Sequence, residues 1–296
     1  MTDWPVWKQE LPALPHKLFN DAVNPVMDFY KANLEIDARR GRLQPVNYWV
    51  VNRGLLLSAA QTYAAVCTLL ADKRPKPFLL QAGILDRSLF ETLASVMYLG
   101  EAPAERTAVF ELEAYKSHAL RFRRYERRYG TDPEWKDYLD VYRQGLAKMS
   151  AMIPSHYSHD PDSIPDTWPT PGIMIFGRHS RSIPPAISGS RREVLRVLYQ
   201  EHYDHQSAMA HQRAAAVSSA MLTEHPEAAW SPGHAESHFV VNALTVLGAI
   251  LAELQTAGAY PRHPRLAELW AYLRGMDMDA QELWAIRYES LVSLGA

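Results

Sequence analysis

Apolar residues recur at intervals of three and four along almost the whole of this 296-residue chain, and period-two alternation is rare. That spacing builds one apolar face on a helix and none on a strand. The expected fold class is therefore all-α. The segments predict a single multi-helix bundle of about nine helices, one domain over 1–296. An extended N-terminal arm (1–14) and a long proline-rich loop (150–189) complete it. A content of 47% apolar and 22% charged residues is globular, and a chain this long buries a sizeable core.

Breakers and caps place the helices. Trp4, Pro5, Trp7, Pro12 and Pro15 keep the arm extended, and a helix follows over Pro15–Arg40, kinked near Pro25 and stopped by Gly41. Further helices are expected over Pro45–Asp72, Lys76–Leu99, Pro103–Tyr129 and Asp132–Met149. A long central helix runs over Ser190–Leu222. Ser231 and Pro232 then start a helix that reaches about Thr256, and Pro264–Arg274 and Asp279–Leu294 close the chain. In the loop, Trp168 and Phe176 point to a segment anchored by its aromatics. That loop is also the natural place for a domain junction. A single domain is preferred because the central helix after it needs the Lys76–Leu99 helix as a partner.

Lys76–Leu99 is apolar nearly all round (Leu80, Ile84, Leu85, Leu89, Phe90, Leu93, Val96, Met97), which demands a central position. Into it come Asp86, Arg87 and Glu91, with Arg87 and Glu91 four apart and expected together inside. A structural ion pair is the plain reading. The functional one has Glu91 orient Arg87 toward a small anionic ligand, with Tyr203 or His211 as the acid–base group. The central helix carries Tyr199, Tyr203, Ser207 and His211 at steps of four. At about 100° per residue, His202 and His205 share a face with Leu195, Leu198 and Met209, while Asp204, Ser207 and His211 lie on another. Histidines so placed are ordinarily satisfied by a neighbour's hydrogen bond. The candidate catalytic set is Arg87, Glu91, Tyr203, Ser207 and His211.

No cofactor is expected, with a divalent metal as the alternative. Its ligands would be His202, His205, His234 and His238, of which the last two share a helix face at i, i+4. His156, His159 and Asp160 in the loop make a weaker set, and Glu-x-x-His pairs on buried helices are missing. Nucleophile elbows and phosphate-cradling glycine loops are absent as well. Arg121, Arg124 and Arg128 form the one basic cluster of note, either a solvated face near a helix C-terminus or a surface for RNA phosphate. With net charge -2 the chain as a whole is no trap for nucleic acid. Cys67, the only cysteine, excludes an intrachain disulfide and reads as a buried, inert thiol. Phe239–Leu254 is interrupted by Asn242 and Glu253, and the first residues show no secretory pattern. A cytoplasmic protein with no membrane partner, and with homo-oligomerisation open, is the expectation.

Three pieces resemble an all-helical bacterial family, the domain of unknown function 5677: DRSLFETLASVMYL, RFRRYERRYGTDPEW and YDHQSAMAH, within Lys76–Leu222. The resemblance implies helical architecture and marks Arg87, Glu91, Tyr203, Ser207 and His211. It implies no substrate. A looser similarity is to HEPN ribonucleases, through Arg196 and His202 in RVLYQEH. The polar residue that usually comes after the arginine is Val197 here, and the wheel separates Arg196 from His202. Two functions are expected as rivals, with a histidine-rich metal-dependent enzyme as a third. One is an RNA-acting enzyme or ligand binder, linked to phage defence. The other is a non-catalytic module that assembles through Trp4, Trp7 and the last helix (Leu283, Trp284, Arg287, Leu291).

Overall fold

A computed structural model describes residues 46–70, 79–153, 158–165, 168–177, 186–205, 232–256 and 264–293. All regular structure among them is helical, as the periodicity demands. The helices are α1 (Val46–Leu70), α2 (Leu79–Glu101), α3 (Pro103–Tyr129), α4 (Lys136–Met152) and α5 (Pro171–Phe176). They continue with α6 (Gly189–Tyr199), α7 (Pro232–Thr256), α8 (Pro264–Met276), α9 (Met278–Leu283) and α10 (Glu289–Ser293). A 3-10 turn over Pro133–Trp135 leads into α4, and two π-helical turns occur, Gln200–His205 after α6 and Trp284–Tyr288 between α9 and α10. The arm with Trp4 and Trp7 and the helix expected over Pro15–Arg40 lie outside the described residues.

The backbone divides into two compact units: unit 1 holds the described parts of Met1–Glu101 and Pro171–Ala296, unit 2 those of Ala102–Thr170. One boundary falls inside the proline-rich loop, the other between α2 and α3. Composition explains the division. The α2 sequence can be buried on most sides, whereas the second half of α3, RFRRYERRY, cannot.

In unit 1, α1, α2 and α7 pack against one another, and α5, α6 and the first π-turn lie on α2. Helix α8 packs on α7, and the second π-turn on α6. Leu89, Phe90, Leu93 and Met97 of α2 are fully buried, each stabilising the fold by about 1.5–3 kcal/mol before its ordering entropy is subtracted. The central position expected for this helix is observed, although Ile84 is exposed. The buried stripe of α1, Tyr48, Asn52, Leu56, Ala59, Tyr63 and Val66, faces α2 and α7. Cys67 is buried there, and burial pushes its thiol pKa up, so it is inert as expected. Within α7, Phe239–Thr256 is long and apolar enough to cross a membrane, yet 83% of that stretch is buried in protein, as a core helix is.

Unit 2 is built on the α3–α4 hairpin. Pro103 and Glu105 open α3 and Arg127 and Arg128 close it, each suited to its end of the helix dipole. A small core of Leu112, Tyr115, Ala119, Ile153 and Ile164 holds one end. The described loop segment is tied down there: the Tyr115 hydroxyl donates to the His159 carbonyl (2.9 Å), and Trp168 meets Phe110 edge-on (4.9 Å). Toward the turn, aromatic rings replace aliphatic packing.

Candidate functional site

Chemistry-bearing side chains of unit 1 gather in three places on and around α2. The first is the expected pair. Arg87 donates from Nε to Glu91 Oε1 at 3.0 Å, Nη2 stands at 3.0 Å from the same oxygen, and the guanidinium lies 5.0 Å from the centre of the Tyr203 ring. Tyr203 is thus brought to Arg87. The pair is not inside, however: the side chains are 22% and 42% exposed. One turn of helix carries both residues past the buried face onto its rim, so the pair is worth about 0–1 kcal/mol rather than a buried pair's several. Around it, Tyr203 packs against Tyr199 (5.1 Å) and Phe90 (5.8 Å), and the half-exposed Phe176 meets Tyr199 edge-on (5.0 Å). The Tyr199 hydroxyl fits because α5 presents Gly172 to it, where a Cβ would stand 3.2 Å away. Ser207 and His211 lie outside the described residues.

The second place is Asp86 with His202. The side chains are 0% and 1% exposed, and Asp86 Oδ2 stands 2.9 Å from His202 Nδ1. That is an ion-pair distance. Burial by itself drives the imidazolium toward neutrality. The charge of Asp86 beside it, with those of Asp279 and Asp277, outweighs burial and holds the His202 pKa above its usual value. The expectation that a neighbour satisfies this histidine is met by a charge instead of a neutral partner. An aspartate at Nδ1 is also the orienting half of a catalytic dyad, but a side chain 1% exposed offers no open face to a substrate.

The third place was not anticipated. Glu253, in the most apolar run of the chain, is 1% exposed in its side chain and receives two arginines. Arg191 Nε donates to Oε2 (3.1 Å), Arg287 Nη2 donates to the same oxygen (2.9 Å), and Arg287 Nε pairs with Oε1. The network continues outward: Arg191 Nη1 donates to Glu101 Oε1 (3.2 Å), the Ser188 hydroxyl to Glu101 Oε2 (3.2 Å), and Arg287 Nη1 to Ser190 Oγ (2.8 Å). Two carboxylates face two guanidiniums, so the group is neutral overall. Arg191 can lie over the end of α2 because residue 100 is glycine, where a Cβ would stand 3.0 Å from Nη2. Tyr48 and Tyr288 are buried nearby, and burial raises both phenol pKa values. One signal could have found this centre: a carboxylate alone in an apolar helix must meet a cation. Arg287 and Leu283, expected on an outward assembly face, are turned inward, at 14% side-chain and 0% exposure.

Both π-turns carry residues of these centres, His202 in one and Arg287 in the other. A wider turn rotates the positions beyond it, so a regular wheel misplaces the residues after Tyr199. The central helix expected over Ser190–Leu222 is described only as far as His205. As for a metal, no group of three or more His, Cys, Asp or Glu side chains stands at liganding distance among the described residues. His205, His234 and His238 have helical backbones, and their side chains lie outside the described structure.

In unit 2 the arginine cluster is exposed, with Arg121, Arg124 and Arg128 all at the surface. Beside it runs a series of rings. Tyr129 stacks on Trp135 at 4.0 Å, Trp135 meets Tyr138 edge-on at 5.5 Å, and Tyr138 leads to Tyr142 at 5.9 Å. Compared with known proteins, the chain matches no family model, and no curated protein or solved structure is similar to it.

Proposed function

We propose that unit 1 binds an anion at Arg87, with the phosphodiester of RNA as the class of anion and RNA cleavage as the activity. One observation carries the reading: a partly exposed guanidinium is fixed on one edge by Glu91 and on its face by Tyr203. Fixing the cation beforehand removes the ordering entropy that a ligand would otherwise have to overcome. Nη1 has no partner among the described residues, and the rings of Tyr203, Tyr199 and Phe176 offer flat apolar contact beside it. In this reading Arg87 holds the phosphate, Glu91 positions Arg87, and Tyr203 or His211 handles the proton. The test is titration calorimetry with a ribonucleoside monophosphate and an RNA cleavage assay, on wild type, Arg87→Ala and His211→Ala. A charge-assisted hydrogen bond is worth about 1.5–3 kcal/mol, so Arg87→Ala is expected to weaken binding roughly tenfold or more while circular dichroism is unchanged. Wild-type behaviour in both variants sinks the proposal.

A second reading, a non-catalytic helical module, is favoured by a different observation. The deeply buried charges of unit 1, Asp86, His202 and Glu253, are matched by other side chains of the unit. In that reading they specify packing, and Arg87→Ala changes neither binding nor stability measurably.

A further inference from the structure

Helix α3 carries seven basic residues against four acids, although Asp132, Glu134, Asp137 and Asp140 follow it in the hairpin. Asp160 and Asp162 are taken by Arg123 (2.9 and 2.5 Å), and Glu126 and Asp140 by Arg143 (3.0 and 2.6 Å). Arg121, Arg124, Arg127 and Arg128 make no ion pair among the described residues and are exposed. The helix dipole accounts for Arg127 and Arg128, which sit in the last turn. It does not account for Arg121 and Arg124, because the effect fades within one turn of the helix end.

These side chains are ordered with respect to the rings. At about 100° per residue, Arg121, Arg124 and Arg128 form one stripe along about 10 Å of α3, and Tyr125 and Tyr129 border it. The rings continue through Trp135 to Tyr138, which is 48% exposed, and Arg128 already lies 5.3 Å from the Tyr129 ring centre. Cations that can hold phosphates beside an aromatic series ending in the exposed ring of Tyr138 suit an unpaired polynucleotide: phosphates on the stripe, a base on the outer ring.

We propose that this face of the α3–α4 hairpin docks single-stranded nucleic acid, with Arg121, Arg124 and Arg128 on phosphates and Tyr138 as the outermost stacking platform. It is independent of the Arg87 reading. An acidic polypeptide could use the arginines but would leave the rings idle, so stacking decides for a nucleic acid.

The test uses the full chain and fluorescein-labelled oligouridylate and oligodeoxythymidylate of about 12 nucleotides, within the site sizes of single-strand binders. Anisotropy is read across a salt series. Three phosphate contacts predict a slope of about -2 in log K against log salt. Charge reversal by Arg121→Glu, Arg124→Glu and Arg128→Glu together is expected to weaken oligonucleotide binding at least tenfold and to flatten its salt dependence. Tyr138→Ala, at an exposed position, is expected to weaken it about tenfold with circular dichroism unchanged. A ribonucleoside monophosphate, too short to span the stripe, is expected to bind the charge-reversed protein as it binds wild type, which separates the two proposals. Preference for the ribose or the deoxyribose strand assigns the source, either result being consistent with the surface. Equal affinity for a duplex would remove the stacking role and overturn the proposal. So would wild-type affinity in the charge-reversed protein, or binding to polyglutamate with none to either oligonucleotide.

Discussion

The centre around Glu253 in unit 1 and the arginine-rich hairpin of unit 2 use the same side chains to opposite ends. In unit 1 one carboxylate, itself out of contact with water, holds two arginines within 3.1 Å. Neither partner can leave without stranding a charge in a medium that cannot solvate it. In unit 2 Arg123 and Arg143 make bonds as short, but in solvent, where water substitutes readily for either partner. Distance alone therefore says little about what an ion pair does. Burial decides whether it is a structural commitment or a solvated contact.

The comparison is broken most directly at Glu253. Glu253→Gln leaves Arg191 and Arg287 facing an amide, and the expected loss is about 3 kcal/mol in urea denaturation, the low end for a stranded buried charge because both arginines reach the surface in part. The paired substitution Arg123→Ala and Arg143→Ala in unit 2 is the control, expected to leave the midpoint unmoved. Equal effects from the two would void the distinction.

A smaller effect tests the other buried pair. The His202 pKa is raised in the fold, so its contribution is fully present below the unfolded histidine value of about 6.5 and is lost as pH rises through the folded value. Wild type is expected to unfold at a lower urea concentration at about pH 9 than at about pH 6, and Asp86→Asn to flatten that difference. A profile as steep in the variant would assign the pH dependence elsewhere.

The smallest effect sharpens the comparison at two helical glycines. Alanine in an exposed helix gains about 0.5–1 kcal/mol over glycine. Gly145→Ala in unit 2, where nothing lies within 4 Å of the added Cβ, is expected to show that gain. Gly100→Ala puts the same atom 3.0 Å from an Arg191 guanidinium that Glu101 and Glu253 hold in place. There the crowding is expected to cancel the gain and destabilise by about 1 kcal/mol. Differential scanning calorimetry on the two variants reads the sign.

Helical periodicity and breakers, which are local, settled the fold class and the ends of α1, α2, α3 and α7 to within a few residues. They also settled that Arg87 meets Glu91, since four residues of helix bring any such pair together. The surface position of Arg121, Arg124 and Arg128 came from the same reasoning, because no apolar partner in the sequence could cover them. Packing decided the rest. Which face of α2 turns inward, and so that Asp86 and not Arg87 is buried, depends on where α1, α7 and the first π-turn come to rest. Glu253 finds its arginines 62 and 34 residues away, and no spacing rule reaches across such distances. The lone carboxylate in α7 showed that a cation was needed, but only the folded chain, by burying that carboxylate among α6 and the second π-turn, chose Arg191 and Arg287.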